Sequence, residues 1–361
     1  MTVPTQKMVL TINPGSTSTK VAVYRCNELI FLKNIKHTSE DLAKFENIID
    51  QYAFRKEIIL QELHDAHIDI NGIDAIVGRG GLVKPIPSGV YEVNDRLLED
   101  LKTGVQGQHA SNLGGIIAHD LSILIKKAKA YIADPVVVDE LDDVARITGH
   151  PLFERNSIFH ALNQKAIART HARAIGRKYE DLNLIVVHLG GGISVGAHRL
   201  GKVVDVNQAL DGDGPFSPER TGTLPVGKLV DLCFSGKYKK EQVKKMIVGS
   251  GGFVAYLGTN SAFEVEQRSH AGDAEATRIQ EAMAYQVSKE IGAMGAVLEG
   301  KIDAILLTGG IAYNHNFVDQ IRKRVQHLGP VGVYPGEDEM KALAQNGLMV
   351  LNGELQPLVY E

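Results

Sequence analysis

Met8-Val-Leu-Thr-Ile-Asn-Pro-Gly-Ser-Thr-Ser-Thr-Lys20 is the stretch from which the fold of this chain is predicted. Its apolar part, Met8–Ile12, predicts a buried strand, and Asn13–Thr19 predicts a tight turn that Pro14 and Gly15 favour. The turn brings backbone N–H groups, hydroxyls and the Lys20 ammonium together, which is the set of groups that binds a phosphate. Because turns rich in Ser, Thr and Gly are common, a solvent-exposed hairpin tip explains this stretch equally well when it is taken alone.

A second copy of the same pattern favours the phosphate interpretation. Leu184–Leu189 predicts a buried strand, Gly190–Ser194 a glycine turn, and Val195–Arg199 the next strand. A third buried strand, residues 303–308, ends at Gly309 and Gly310. Three such turns after three buried strands, two of them in repeated frames, predict two similar domains that can close on a ligand between them.

Composition narrows the class of protein. The chain has 361 residues, 44% hydrophobic and 23% charged, which predicts two globular domains. A net charge of −4 argues against bulk binding to nucleic acid or to a membrane surface. The two cysteines, Cys26 and Cys233, lie far apart, so we expect unpaired thiols in a reducing compartment. With neither a signal-peptide pattern nor a long apolar run, the expected location is cytoplasmic.

Other nucleotide and metal motifs do not fit. Lys20 follows a turn with one glycine and opens a strand, whereas a P-loop lysine opens a helix. Val195 stands where the dinucleotide fingerprint needs its last glycine. The Asp211-Gly-Asp-Gly214 stretch lacks the later ligands of a calcium loop. The polar segment 210–221 that contains it is too stiff for a linker, and long ordered loops usually carry function.

Four motifs together resemble the acetate and butyrate kinase family: Ile12–Lys20, His188–Ser194, Asp211–Gly222 and Thr308–Ile311. The match covers essentially the whole chain. It implies an α/β fold with two duplicated actin-like ATPase (ribonuclease H-like) domains and an active-site cleft between them. The domains would comprise residues 1–148 plus 343–361, and 149–342. The second and third motifs are most similar to the butyrate kinases, because acetate kinases usually carry Asn where Gly191 stands.

The resemblance also implies roles for individual residues. The residues that bind the phosphates and Mg²⁺ would be Asn13, Ser16, Ser18 and Lys20, with His188 near the phosphates. The nucleotide would be lined by Gly190, Gly191, Gly192, Gly309, Gly310 and Ile311. The catalytic residues would be Arg79, Asp139, His160 and Arg220. The groups near the metal would be Asn13, Asp139 and Glu339, with Glu337 and Asp338 as alternatives to Glu339. The adenine pocket stays open, because Asn260-Ser-Ala262 replaces an Asp-x-Arg pattern of acetate kinases.

The chemistry of acyl phosphate formation agrees with these roles. A carboxylic acid with a pKa near that of Glu, about 4.3, is already ionised at pH 7, so no general base is needed. We therefore expect Asp139 to orient metal-bound water or an arginine. The two arginines, Lys20, His160 and Mg²⁺ would offset the repulsion between a carboxylate and a polyphosphate. His160 falls within a predicted helix, residues 156–177, so a purely structural histidine is the alternative for this position.

The acyl pocket is predicted from one difference. Gly81 stands where acetate kinases tend to carry a Val that faces the acyl methyl, which would leave room for two more carbons. Leu113 and Phe159 are candidate walls. The predicted reaction is reversible in-line transfer from ATP to butanoate, giving butanoyl phosphate, with branched acids such as isobutyrate also accepted. The alternatives are an acetate or propionate kinase, or a nucleotide-gated switch without an acid substrate. The family implies a homodimer or a larger homo-oligomer.

Overall fold

A computed structural model describes residues 6–361. The chain forms two compact units. The first comprises the described residues up to Val138 together with Asp338–Glu361, and the second is Asp139–Glu337. The domain limits predicted from the sequence lie further along the chain, by ten residues at the first crossing and by five at the second.

The first unit is built on a mixed sheet. Its strands are β1 (Met8–Pro14), β2 (Ser18–Arg25), β3 (Glu28–Lys36), β4 (Ala75–Arg79), β5 (Val90–Glu92) and β6 (Lys129–Ala133). They lie in the order β3-β2-β1-β4-β6-β5. The first three form an antiparallel meander, whereas β4 runs parallel to β1 and β6 parallel to β4. The carboxyl ends of β1 and β4 therefore meet at one edge of the sheet.

The second unit repeats this plan. Its strands are β7 (Asn183–Leu189), β8 (Ile193–Arg199), β9 (Lys202–Val206), β10 (Ala304–Gly309) and β11 (Val331–Pro335), in the order β11-β10-β7-β8-β9. Again an antiparallel meander is followed by parallel strands, β10 beside β7 and β11 beside β10. The duplication predicted from the two strand–turn–strand copies is confirmed.

Helices cover the sheets. Those of the first unit are α1 (Ser39–Leu42), α2 (Tyr52–Asp65), α3 (Asp95–Thr103), α4 (Asn112–Leu124) and α13 (Glu339–Leu351). Those of the second are α5 (Asp143–Arg146), α6 (Ala161–Ala174), α7 (Val226–Cys233), α8 (Lys240–Ile247), α9 (Gly252–Leu257), α10 (Ala262–His270), α11 (Ala274–Val297) and α12 (His315–Val325). Within residues 6–361, no helix combines the length and apolarity needed to cross a bilayer.

The closing helix α13 packs directly on the first sheet. A Cβ at Gly347 would lie 2.8 Å from Val77 and 3.0 Å from Val9, so only glycine allows this close approach. A glycine inside the helical pattern of residues 340–352 predicts an interruption near Gly347, and this is wrong, since α13 runs unbroken to Leu351. The glycine serves packing between helix and sheet, and it places the start of α13 beside the ends of β1 and β4.

Two other helix predictions need correction. The apolar spacing over residues 39–67 predicts one helix, but the segment is divided, because α1 ends at Leu42 and α2 begins at Tyr52. The helix predicted over 156–177 begins only at Ala161, so His160 precedes it. His160 has non-helical backbone angles, φ −81° and ψ 59°, and its ring bonds to Ser194 on β8. Its side chain therefore faces the end of the sheet.

Candidate active site

In the first unit, the ends of β1, β4 and the start of α13 bring three predicted site residues together. The Asn13 amide donates to Glu339 Oε2 at 2.5 Å, and Arg79 Nη1 donates to Asn13 Oδ1 at 3.3 Å. Arg79 Nη2 lies 3.2 Å from Glu339 Oε1. Asn13 is 7% exposed, so it is a buried anchor. Lys20 pairs with Asn13 across the β1–β2 ladder, which puts both side chains on the same face of the sheet.

The turn after β1 is held from behind by Arg55, a residue that the sequence analysis missed. Its guanidinium donates to the carbonyl oxygens of Gly15 at 2.8 Å, Ser16 at 3.3 Å and Ser18 at 3.2 Å. Arg55 is 1% exposed, and burial lowers its pKa to about 10, so it stays charged at neutral pH.

This contact orients the turn. In a planar trans peptide the C=O and the following N–H point in opposite directions. Because the carbonyls of Gly15 and Ser16 face Arg55, the N–H groups of Ser16 and Thr17 point away from it. Both of these residues are exposed. The turn therefore presents backbone donors to solvent, as a phosphate-binding turn must.

The sequence does contain a signal for Arg55. Three residues at helical spacing form the buried stripe of α2, namely Arg55, Ile59 and Leu63. A charged residue in phase with a core stripe needs buried partners.

Three successive acidic residues, left unresolved by the sequence, have different partners. Glu337 lies in the second unit, with Oε2 3.3 Å from His188 Nε2. Asp338 caps α13 by accepting from Lys341 N at 2.9 Å. Glu339 contacts Asn13 and Arg79. Of the three, only Glu339 has a carboxylate beside the predicted phosphate turn.

In the second unit, two histidine rings stack. The centroids of His160 and His188 are 3.8 Å apart, and the ring planes differ by 14°. His160 Nδ1 lies 2.9 Å from Ser194 Oγ, and His188 Nδ1 lies 2.8 Å from Asn163 Oδ1. The two rings therefore lie face to face, and each is held by a hydrogen bond at its Nδ1.

Arg220 lies over the glycine turn beside this pair. A Cβ at Gly192 would be 1.8 Å from Arg220 Nη1 and 3.2 Å from His160 Cε1, so the missing side chain leaves the space that the guanidinium fills. Arg220 Nη1 donates to Ala209 O at 2.8 Å, whereas its buried Nε has no partner. Burial lowers the pKa of Arg220, which means that the cation is poorly solvated. Such a group attracts an anion.

The end of β10 packs against the end of β7. Gly309 has φ +91°, and a Cβ there would lie 2.3 Å from Leu189 O, so glycine is required. Gly309 and Gly336 exchange backbone hydrogen bonds of 3.1 and 2.9 Å. Gly310 and Ile311 begin a short 3₁₀ helix, Gly310–Tyr313. The predicted nucleotide-lining turns, Gly190–Gly192 and Gly309–Ile311, thus follow neighbouring strands of one sheet.

Asp139 belongs to the second unit and is bound to an arginine. Both of its oxygens accept from Arg146, each at 2.7 Å, and Oδ1 also accepts from Leu141 N at 3.2 Å. These bonds raise the pKa of Arg146. The role expected for Asp139, to orient metal-bound water or an arginine, stays a prediction, and Arg146 is an arginine that it contacts. Across residues 6–361, no three acidic, His or Cys side chains are grouped as a metal cage.

Comparison with known proteins assigns the family. A model described as the acetokinase family matches residues 152–354, more than half of the chain. The chain belongs to the acetokinase family. It is 55% identical over 353 residues to Butyrate kinase 2 of Clostridium acetobutylicum, covering 98% of this chain and 99% of that protein. Family membership makes it a phosphotransferase with a carboxyl group as acceptor, and it implies ATP or ADP as the nucleotide.

Solved structures agree on the fold. The acetate kinase of Porphyromonas gingivalis superposes with a TM-score of 0.77 at 18% identity, covering 96% of this chain and 100% of that one. A propionate kinase from Francisella tularensis subsp. tularensis gives 0.73 at 19% identity, covering 94% and 98%. The predicted fold class, two duplicated actin-like ATPase domains, is confirmed.

The pocket argument made from Gly81 does not survive in this member of the family. A Cβ at Gly81 would lie 2.5 Å from Asn112 Oδ1 and 2.7 Å from Leu101 Cδ2. Asn112 Oδ1 also accepts from Leu82 N at 2.9 Å. The space beside Gly81 is therefore filled by protein, and the missing side chain opens no room for acyl carbons. Leu113 and Phe159 are buried, at 0% and 2% exposure, and their roles as pocket walls stay predictions.

His109 is a loop histidine to which the sequence pattern gives no role. Its pKa is lowered by burial and by the positive charge of Arg79. Nδ1 accepts from Ser111 N at 3.2 Å, so a neutral His109 carries its proton on Nε2. A lone histidine in a loop gives no sequence signal of this proximity to Arg79.

Proposed function

We propose that this protein is a butyrate kinase, which transfers the γ-phosphoryl group of ATP reversibly to butanoate. A carboxylate oxygen attacks the γ-phosphorus in line, the bond to the β-phosphate oxygen breaks, and butanoyl phosphate and ADP form. The 55% identity to Butyrate kinase 2, which extends over 98% of this chain, supports the choice of butanoate as the acid. The observation that carries the chemistry is the partly buried Arg220 side chain, whose buried Nε has no hydrogen-bond partner among the described residues, beside His160 at Gly192.

The second unit would supply the groups that stabilise the moving phosphoryl group. Arg220 and His160 offer donors beside the glycine turn, where charge spreads over the equatorial oxygens. His188 would lie near the phosphates. The nucleotide would be lined by Gly190, Gly191, Gly192, Gly309, Gly310 and Ile311. Asp139 would act through Arg146, which it holds by two bonds of 2.7 Å.

The first unit would supply groups for phosphate, metal and carboxylate. The N–H groups at the turn, with Ser16, Ser18 and Lys20, suit phosphate oxygens. Asn13 and Glu339 place two oxygen-bearing side chains together, and Mg²⁺ commonly takes one or two protein oxygens with water and substrate phosphate. When bound, Mg²⁺ neutralises charge on the β- and γ-oxygens. Arg79 would hold the substrate carboxylate, since a guanidinium pairs with carboxylates in a fork geometry.

The decisive test is acyl hydroxamate formation with MgATP and butyrate, isobutyrate, acetate or no acid. We expect product with butyrate and isobutyrate, and less with acetate. Preferred use of acetate would replace the butyrate assignment by an acetate or propionate kinase. ATP hydrolysis with no acid-dependent product would instead indicate a nucleotide-gated switch.

A variant pair tests the role of Arg220. Removing one hydrogen-bond donor that stabilises a transition state lowers kcat by a factor on the order of 10²–10³. We therefore expect that loss for Arg220→Met in a folded protein. Arg324→Met removes an exposed arginine of the same unit and should leave kcat unchanged. Equal rates for the two variants would remove Arg220 from the mechanism.

A cytoplasmic location and a homodimer or larger homo-oligomer are further parts of the proposal. The two cysteines, Cys26 and Cys233, are free and exposed, which suits a reducing compartment. Sedimentation of the purified protein would measure the oligomeric state.

A further inference from the structure

A series of hydrogen-bonded polar side chains in the second unit ends at His160. Its members, in order, are Tyr179, His198, Gln164, Ser194 and His160. The successive contacts are Tyr179 Oη to His198 Nδ1 at 2.7 Å, His198 Nε2 to Gln164 Oε1 at 2.9 Å, Gln164 Nε2 to Ser194 Oγ at 2.9 Å, and Ser194 Oγ to His160 Nδ1 at 2.9 Å. Gln164, Ser194 and His198 are each 0% exposed. A buried series of this kind has one favoured arrangement of protons, because every buried group needs a partner.

Gln164 sets the direction of the series. Its Nε2 lies 3.1 Å from the carbonyl oxygen of Ser194, which can only accept a hydrogen bond. The opposite amide orientation would place two acceptors against each other. Gln164 therefore donates to both oxygens of Ser194, and its Oε1 must accept from His198.

The proton positions at the Tyr179 end of the series follow from the protonation of His198. Burial holds the pKa of His198 well below its usual range, so the ring is neutral and carries one proton. That proton lies on Nε2, because Gln164 Oε1 accepts there. Nδ1 of His198 is then an acceptor, and the Tyr179 hydroxyl donates to it.

The near end reaches His160. The Ser194 hydroxyl accepts from Gln164, so its own proton is available for His160 Nδ1. We propose that this series fixes neutral His160 as the Nε2–H tautomer, which makes Nε2 the donor toward the phosphoryl group. Ser194, Gln164 and His198 are thus positioning residues for His160. The role in catalysis rests on the proposed function, whereas the tautomer does not.

The neighbouring backbone is shaped around this series. A Cβ at Gly196 would lie 2.5 Å from Gln164 Oε1 and 3.2 Å from His198 Nε2, the two atoms that share a hydrogen bond. Any larger residue at position 196 would separate them. The glycine therefore keeps the link between His198 and Gln164 intact.

The first test is a spectroscopic one on the wild-type protein. With ¹⁵N-labelled imidazoles, long-range proton–nitrogen correlation spectra at pH 8 distinguish protonated from unprotonated ring nitrogens, and His160→Gln identifies the signals of His160. We expect an unprotonated Nδ1 and a protonated Nε2. A proton on Nδ1 overturns the proposal whether or not the protein is a kinase. An absence of acid-dependent turnover, with the expected tautomer, overturns the proposed function alone.

The second test uses a matched pair of serine variants. Ser194→Ala removes the donor to His160, and Ser288→Ala removes another buried hydroxyl of the same unit, which bonds within α11 to Ala284 O at 2.7 Å. We expect Ser194→Ala to mix the His160 tautomers and to lower kcat about tenfold, with the KM values within about twofold. Ser288→Ala should do neither.

Unchanged His160 signals and unchanged kcat in folded Ser194→Ala would refute the proposal. If Ser194→Ala does not fold, Tyr179→Phe tests the far end by removing a single hydroxyl. We then expect changed nitrogen shifts at His198 with the His160 tautomer retained, because the Ser194 carbonyl still orients Gln164. Loss of the His160 tautomer in Tyr179→Phe would contradict the direction assigned to the series.

Discussion

Replacing Arg55 by Met should damage the phosphate turn more than the rest of the protein. Methionine fills much of the same space without a donor, so the three turn carbonyls that Arg55 binds at 2.8 to 3.3 Å lose this donor, and Ser18 O keeps the N–H of Gly15. Hydrogen bonds to charged groups contribute about 1.5–3 kcal/mol each when buried. Because the outer side of this turn is exposed, water replaces part of each bond, and we assign about 1 kcal/mol per carbonyl. Arg55→Met should thus lower the free energy of unfolding of the first unit by about 3 kcal/mol.

The same change should weaken the use of MgATP. Without Arg55 the peptides after Gly15 and Ser16 can rotate, and their N–H groups lose the outward orientation. Loss of about one hydrogen bond to phosphate corresponds to a roughly tenfold rise in KM for MgATP, whereas the KM for butyrate should change little. Initial rates at varied MgATP and varied butyrate separate the two constants, and urea unfolding measures the stability.

Two further variants control this experiment. Arg25→Met removes an exposed arginine of the same unit and should leave both constants and the stability unchanged. Arg55→Lys keeps the charge, but a single ammonium cannot replace the guanidinium fork, so an intermediate effect is expected. A folded Arg55→Met protein with wild-type KM for MgATP would refute the idea that Arg55 orients the turn.

Three other outcomes are expected. Gly81→Ala should shift Asn112 and Leu101, lower stability by about 1–3 kcal/mol and reduce kcat/KM alike for acetate and butyrate; a selective gain for acetate would restore the pocket argument. Burial, together with the negative charges of Asp213 and Asp205, raises the pKa of Glu290 from 4.5 to about 7. The stabilising contribution of Glu290 is therefore complete below pH 4.5 and is lost as the pH rises through about 7. Glu290→Gln should therefore raise the unfolding midpoint at pH 8 and have little effect at pH 4.5. Burial and the positive charge of Arg55 lower the pKa of His37 from 6.5 to about 4. The contribution of His37 to stability is therefore present above pH 6.5 and is lost as the pH falls toward 4. His37→Gln should flatten the fall in melting temperature over that acid range, and an unchanged profile would contradict this.

The strands and turns could be predicted because their causes are local. The apolar runs at residues 8–12, 184–189 and 303–308 end at turn-forming residues. Both the spacing of apolar residues and the residue types that favour turns can be read directly from the sequence. The proximity of Asn13 and Arg79 also follows, since both lie at the carboxyl ends of parallel neighbours, β1 and β4.

The features that were not predicted from the sequence depend on contacts between residues that are distant along the chain. The bond between Gln164 and His198 requires the register of β8 and the start of α6, and a local pattern contains neither. Arg55 was missed although it is in phase with a core stripe, because its partners are backbone carbonyls that no sequence letter marks. The Gly81 argument failed for a similar reason, since what fills the space beside a glycine depends on the whole fold.

The acidic run Glu337–Glu339 has a consequence for the lengths that this segment can take. Surface loops usually accept insertions and deletions, because few of their residues have fixed partners. Here three successive side chains serve three partners, namely His188, the first turn of α13, and Asn13 with Arg79. One inserted residue corresponds to about 100° of helical rotation. It would either turn α13 relative to the chain that precedes it or move each acidic side chain away from its present partner. This short acidic run should therefore be intolerant of any change in length, although it lies at the surface.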